Sequence, residues 1–391
     1  MTLFLAILAT FTQQTLTYMT ALVVPVAAPE LAKVVGVPVA MAGLHMGLLY
    51  MFSSMSMLMV GGFIRKLGAV RMSQIALTSM GVGLALGLTG EVWGLALGAA
   101  IIGIFGSSST PASSDILARF APPKHAALIF SFKQTAVPMG GILAGILVPF
   151  LLINFGWQGI FYGTSAMCFT LAIVLQLFRR MFDQNRNPDH RISARQAITT
   201  LRGVLIPPKF RHLVYATFTY CGLQGIFAAF FVSYLVGELG FDLVEAGAIF
   251  ALSQAASVVA RIIWGWIVDR VGSARPVLAF LGVTMAVFAV GCALMLPGWG
   301  ELMITLVAMG YSATAISWHG VVLAEVANLS TSDMVATNTG GVLAFAVGGQ
   351  FAYPALMGVL LTAGGTFGMG FAASAFPALV VGLLFMRKAP D

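Results

Sequence analysis

Two basic residues, Arg261 and Lys133, stand inside runs that otherwise carry no charge. A cation in hydrocarbon is expensive and usually faces a water-filled cavity or a pathway. Arg261 lies eight residues before Asp269, about 12 Å along a helix at 1.5 Å per residue. Gln254, Ser257 and Arg261 recur at i, i+3 and i+7, which puts them on one helix face. Lys133, in Ser131-Phe-Lys133-Gln134-Thr135, follows Lys124 by nine residues, a comparable depth. Two cations at similar depth from opposite halves of the chain could clamp one anion. The competing reading for each is a long side chain that snorkels to the interface or pairs with a neighbouring helix.

Uncharged donors add to this set. The first apolar run carries Thr10, Gln13, Gln14 and Thr17 on one face, and the seventh carries Thr217, Tyr220 and Gln224 at i, i+3 and i+7. Gln14, Tyr220 and Gln224 could line a pore and orient a carboxylate, or they could be polar glue between packed helices. His319, in Ser317-Trp318-His319, could bond an oxygen or carry a coupling proton, with packing against a backbone carbonyl as the alternative. No Asp or Glu stands near the middle of any apolar run, the nearest being Asp115 and Glu325 towards inner ends. Cations without acids favour an anionic ligand.

The elements that must position these residues are membrane helices. The chain has 391 residues, 59% hydrophobic and only 8% charged, against roughly 25% charged in a soluble domain. Apolar runs of about twenty residues, long enough to cross a 30 Å hydrocarbon core, recur from end to end. Twelve spans are expected, at roughly 3–27, 38–62, 72–90, 93–118, 126–153, 159–178, 211–236, 245–268, 276–296, 301–327, 335–362 and 366–386. The hydrophilic stretch from Arg179 to Arg211 divides them six and six. This gives an N-terminal bundle over 1–178, a central linker over 179–210 and a C-terminal bundle over 211–391. With the N-terminus inside, seventeen of the twenty basic residues fall on the inner side and only Lys33 outside. Both termini are therefore expected in the cytoplasm, with the inner membrane as the location. The first run lacks a basic leader and a small-residue cleavage site, so it reads as the first span. The net charge of +7 sits in short loops, which argues for topology and against nucleic acid. Cys168, Cys221 and Cys292 are scattered, indicating neither a disulfide framework nor a metal site, and no cofactor is expected.

The halves echo each other. Gly61-Gly-Phe-Ile-Arg65-Lys66-Leu-Gly68 stands between spans 2 and 3, and Gly265-Trp-Ile-Val-Asp269-Arg270-Val-Gly272 between spans 8 and 9. Both fit G-x-x-x-[D]-[RK]-x-G, with Arg65 in place of the first acid. Gly156-Trp157-Gln158 precedes span 6. In these features the chain resembles the major facilitator superfamily, with its loop signature G-x-x-x-D-[RK]-x-G-[RK] and its GWR turn. The resemblance implies an all-α membrane protein of two pseudo-symmetric six-helix bundles. A carboxylate at such a helix end can accept hydrogen bonds from helix N-termini and arginines, and so hold a gate state shut. Asp269 and Arg270 are the candidates in the second half, with Glu325 as a possible partner. In the first half Arg65 has replaced the acid, and Asp115 with Arg119 could form a substitute network. Ordinary interfacial charges are the alternative. Ser257-Val-Val-Ala-Arg261 is similar to the D-x-x-x-R stretch of monocarboxylate transporters, with Ser257 replacing the acid. Oxalate–formate antiporters likewise place an arginine in span 8.

No G-x-x-x-x-G-K-[ST] occurs, so no ATPase is expected and gradients must drive transport. The leading expectation is a monomeric, alternating-access carrier for a small organic anion, a carboxylate by preference, coupled to protons. Arg261 and Lys133 hold the charge near the bilayer midplane. Efflux of drugs or metabolites by proton antiport is the first alternative, and a non-transporting receptor the second.

Overall fold

The computed structural model describes residues 2–120, 129, 132–184, 186–190, 201–330 and 335–387. Lys124, Lys388 and the linker stretch 191–200 lie outside them. Every regular element among the described residues is helical. That is the form expected of long apolar segments, because a helix satisfies its own backbone where no water can. Ten helices are long and apolar enough to cross a membrane, and Met41–Leu67, bent by 63° between Met57 and Met59, makes an eleventh. The longest, Phe132–Phe182, has 51 residues, about twice the ~20 that a bilayer requires. Its helical geometry breaks at Gly156, which adopts φ 70° and ψ −177°. It is therefore two spans, and the total among the described residues is twelve.

Spans 1 to 4 are Thr2–Val35, Met41–Leu67, Ala69–Ala85 and the pair Val92–Gly106 with Ser109–Phe120. Spans 5 and 6 divide Ala136–Leu175. Spans 7 to 9 are Pro208–Gly237, Leu243–Val271 and Ala274–Ala293. Span 10 is Gly300–Ala315 with His319–Leu329, and Val335–Thr362 and Phe367–Met386 complete the set. Span 1 runs eight residues beyond its expected end at 27, through Pro25 and Pro29. Proline is tolerated in membrane helices, where neighbouring groups re-satisfy the freed backbone.

The chain forms two compact units, Met1–Val37 with Leu48–Ala194, and Pro38–Gly47 with Arg195–Asp391. In the first, span 1 packs on span 5, where a side chain at Gly140 would strike the Thr15 carbonyl at 2.5 Å. Span 3 packs on span 6, with Ser165 Oγ donating to the Gly81 carbonyl at 3.0 Å. Span 2 meets span 4 through Ser56 and Ser107, whose hydroxyls are 2.7 Å apart. In the second unit span 7 packs on span 11, span 9 on span 12 and span 8 on span 10. Each pairing is the repeat equivalent of one in the first unit, six spans on. Spans 4 and 10 are also equivalents, and both are interrupted, at Ser107–Ser108 and at Ile316–Trp318.

Candidate functional site

Lys133 sits in the helical stretch that leads into span 5. At Thr135 the helix loosens to a turn, its N–H and its hydroxyl both bonding the Phe132 carbonyl, at 3.0 Å and 2.6 Å. Phe132 stacks on Phe11 with centroids 5.5 Å apart, which sets this stretch beside the polar part of span 1. Lys133 is 0% exposed, and its Nζ has no hydrogen-bond partner among the described residues. Thr15 Oγ1, on span 1, is likewise buried without a partner. Folding tolerates a bare buried donor only at a cost of about 1–3 kcal/mol. Such a group marks either strain or a place where something else binds.

The other polar residues of span 1 are spoken for. Gln13 Nε2 donates to Ser109 Oγ at 2.8 Å, and Gln14 Nε2 to Thr110 Oγ1 at 3.0 Å. Ser113 Oγ donates back to Gln14 Oε1 at 3.3 Å. These bonds tie span 1 to the second segment of span 4, just past its break. Thr10 and Thr17 fold back on carbonyls of their own helix.

In the second unit the interruption of span 10 organises the site. Ending one helical segment leaves carbonyls without their i+4 donors, and span 8 supplies replacements. Trp264 Nε1 donates to the Ala313 carbonyl at 2.8 Å, and Arg261 Nη2 to the Ile316 carbonyl at 2.7 Å. Ser317 Oγ donates the other way, to the Ser257 carbonyl at 3.0 Å. Arg261 is half-buried and lies within electrostatic range of His319 and of Cys221 on span 7. His319 stacks on Trp318, centroids 3.8 Å apart, and Tyr220 meets Trp318 edge-on at 6.2 Å. Three buried polar atoms here lack partners among the described residues: His319 Nδ1, Trp318 Nε1 and Gln254 Oε1. Tyr220 donates to the Leu278 carbonyl at 2.7 Å, and Ser257 Oγ to the Gln254 carbonyl at 2.8 Å. Gln224 is buried. The structure thus gathers Arg261, Gln254, Ser257 and His319 around the break, with Tyr220 as a helix-to-helix tie. Trp264, Trp318 and Thr15 were missed by sequence reasoning, and an indole that donates to a carbonyl 49 residues away carries no local signal.

The loop residues fall as follows. Arg119 pairs with Asp115 at 3.0 Å and also donates to the Phe182 carbonyl at 2.8 Å. Asp269 and Arg270 are exposed, and Arg270 lies over the Trp266 ring, 4.8 Å from its centroid. Glu325 has Arg275 within electrostatic range. Gly68 and Gly272 take positive φ, 95° and 71°, the conformation that each loop needs between its two helices. Arg65 is exposed, and its carbonyl accepts from Asn187 N at 2.7 Å.

The acid absent at Arg65 has a counterpart that the sequence did not reveal. Asp183, just after span 6, accepts from Val70 N at 2.8 Å and Arg71 N at 2.9 Å, capping span 3. Gly68 has no room for a side chain, because a Cβ there would lie 2.6 Å from both carboxylate oxygens. Burial pushes the Asp183 carboxyl above its ordinary value, against the opposing pull of the two amides, Arg179 and Arg119.

Twelve spans among the described residues, in two internally matched sets, define a polytopic membrane protein by architecture. The chain belongs to the Major Facilitator Superfamily, whose sequence profile matches residues 3–349, and it is a transport protein rather than an enzyme. It is 24% identical over 321 residues to the uncharacterized transporter YybO of Bacillus subtilis (strain 168), covering 73% of this chain and 70% of that protein. It is 26% identical over 256 residues to a 2-nitroimidazole transporter of Escherichia coli (strain K12), covering 64% and 62%. Among solved structures, a bacterial homolog of the human lysosomal transporter Spinster, inward-facing and occupied, superposes with a TM-score of 0.72 at 15% identity, covering 98% of each chain. A D-xylose-proton symporter gives 0.72 at 14%, covering 99% of this chain and 98% of that one. At such identities the likeness is one of fold. Neither relative's name specifies an organic anion, so the similarity to monocarboxylate and oxalate–formate porters stays an expectation.

Proposed function

We propose that this transporter carries a small organic anion, with a carboxylate as its preferred charged group, by proton-coupled alternating access. The observation that carries the reading is Lys133, a wholly buried amine with no hydrogen-bond partner among the described residues. No described acid lies within salt-bridge distance of it. A substrate carboxylate would supply the missing acceptor, and charge-assisted bonds of this kind are the strong ones. Arg261 is the second cation, already oriented by the Ile316 carbonyl. His319 is the candidate for the coupling proton. Asp269, Arg270, Asp115, Arg119, Arg65 and Glu325 are proposed as gate residues at the loop ends of the spans. Both termini are proposed to lie in the cytoplasm, and the working unit is proposed to be a monomer.

A second reading, proton-driven efflux of a drug or metabolite, draws support for its substrate, though not for its direction, from the relative named as a 2-nitroimidazole transporter. A nitro group presents two oxygens as a carboxylate does but carries no net charge, so the buried amine favours the carboxylate. Melting of the purified protein against mono- and dicarboxylates, 2-nitroimidazole and lipophilic cations separates the readings, since a ligand of the folded state raises the midpoint. Stabilisation by carboxylates that disappears in Arg261→Ala supports the organic-anion reading. Stabilisation by lipophilic cations alone, unchanged by that substitution, overturns it.

A further inference from the structure

A groove of about 430 Å³ runs along the first unit between spans 3 and 6, walled by Phe169, Ala172 and Ile173 and closed at one end by Arg71, Gln74 and Gln176. The volume is within the ~300–1,000 Å³ of small-ligand sites. Ile173 is 73% exposed, so the groove opens on the outer surface of the unit. Its two ends differ in chemistry. At one, Gln74 Nε2 donates to the Ala172 carbonyl at 2.9 Å and to Gln176 Oε1 at 3.0 Å, while Arg71 Nη1 donates to Gln74 Oε1 at 3.4 Å. These bonds fix a polar floor and leave the Arg71 guanidinium one long hydrogen bond among the described residues. One to two helical turns on, the lining passes to Thr78 and the Phe169 ring. Beyond the groove's lining, three residues after Gln176, Arg179 Nε lies 4.0 Å from the same Asp183 oxygen that accepts from the Arg71 backbone N–H. Asp183 itself is only 7% exposed and turned onto the span 3 amides, so the accessible charge is positive.

The repeat supplies an internal control. Arg71 stands three residues after Gly68, and Arg275 three residues after Gly272. Arg275 is consumed by its own bundle. It donates to the Arg387 carbonyl at 3.3 Å and 3.0 Å and to the Leu384 carbonyl at 3.3 Å, and it lies 5.1 Å from the Phe385 centroid. Among the described residues the Arg71 side chain makes one long bond, to Gln74, and it lines the polar end of an apolar slot.

We propose that this groove binds one anionic phospholipid of the surrounding bilayer, its phosphate on Arg71 and Arg179 and one acyl chain along Phe169 and Ile173. The site is independent of the substrate reading. An apolar slot that ends in Arg71, with Arg179 beyond it on the neighbouring Asp183, matches an acyl chain joined to an anionic headgroup. A basic residue near a membrane surface is worth about 1 kcal/mol towards anionic lipid, or roughly fivefold in retention.

The test uses the full-length protein, delipidated and mixed with equal amounts of phosphatidylglycerol and phosphatidylcholine, with bound lipid counted by native mass spectrometry. The wild type is expected to retain phosphatidylglycerol in preference. Arg71→Gln should lower that retention about fivefold without changing phosphatidylcholine, and Arg275→Gln should leave the preference intact. Thr78→Trp, at an exposed position of the wall, should lower retention of both lipids. Equal retention of the two lipids by the wild type, or an unchanged preference in a folded Arg71→Gln protein, would overturn the proposal. So would displacement of the lipid by millimolar glycerol phosphate, which would assign the arginines to a soluble anion.

Discussion

Replacing Lys133 by methionine isolates the amine, since the two side chains fill similar space and differ chiefly at the end. Among the described residues Nζ is buried without an acceptor, and an unsatisfied buried donor costs about 1–3 kcal/mol. Lys133→Met removes the donor and keeps the apolar stem, so it should stabilise the empty transporter by that amount. At about 2 °C per kcal/mol for a large domain, the rise is roughly 2–6 °C. The ligand response should move the other way. A carboxylate at a hundred times its dissociation constant stabilises the wild type by about 2.7 kcal/mol, and Lys133→Met should lose most of that gain. The assay is thermal unfolding of both proteins, with and without the anion. A variant that melts lower than the wild type yet keeps the full ligand shift would refute the reasoning, because Lys133 would then be a structural residue with a partner of its own.

Three further outcomes follow from the geometry. Trp264→Phe and Arg261→Gln each strip a donor from a carbonyl freed at the span 10 break, so both should lower the melting point by the equivalent of about 1–3 kcal/mol. Only Arg261→Gln should also abolish the anion-induced shift, and loss of that shift in Trp264→Phe would tie it to the break alone. Asp183→Ala should cost about 0.5–2 kcal/mol as a lost helix cap, read by the same melts. Because burial raises the Asp183 pKa, the folded state holds its proton more tightly than the unfolded chain. This contribution is complete below the ordinary carboxylate range and is lost as pH rises through the raised value. The wild type should therefore gain on Asp183→Asn as pH falls into that range, and the opposite slope would contradict the assignment. Asp115→Asn should change stability by less than about 1 kcal/mol, since a part-exposed pair is worth little. Arg119→Gln should cost more, because it also releases the Phe182 carbonyl.

Much of this fold could be read from the chain because membrane helices are written locally. Run length gave the spans, and the Gly156 turn separated spans 5 and 6 where the backbone does break. The i, i+4 relation of Asp115 and Arg119 is likewise local, and the pair forms. What stayed hidden depends on partners distant in sequence. Asp183 caps a helix 113 residues away, and nothing near it in the chain marks it as the acid of that loop. Gln14 and Tyr220 have the spacing of pore-lining donors, yet their bonds go to Thr110 and to the Leu278 carbonyl, neither of which periodicity can identify. Span 10 looked continuous because Ile316, Ser317 and Trp318 are neither glycine nor proline. The interruption holds where side chains from span 8 take up the freed carbonyls, a compensation set by tertiary packing.

The central proposal is that Lys133, buried and without a partner among the described residues, makes this superfamily member an anion carrier. Its most direct test is counterflow in proteoliposomes loaded with a carboxylate that stabilises the purified protein. Radiolabelled carboxylate outside should accumulate transiently through the wild type, and accumulation should vanish in Lys133→Met, whose fold the melting curve certifies. Counterflow at the wild-type rate in that variant, or none in the wild type while 2-nitroimidazole exchanges, would contradict the account.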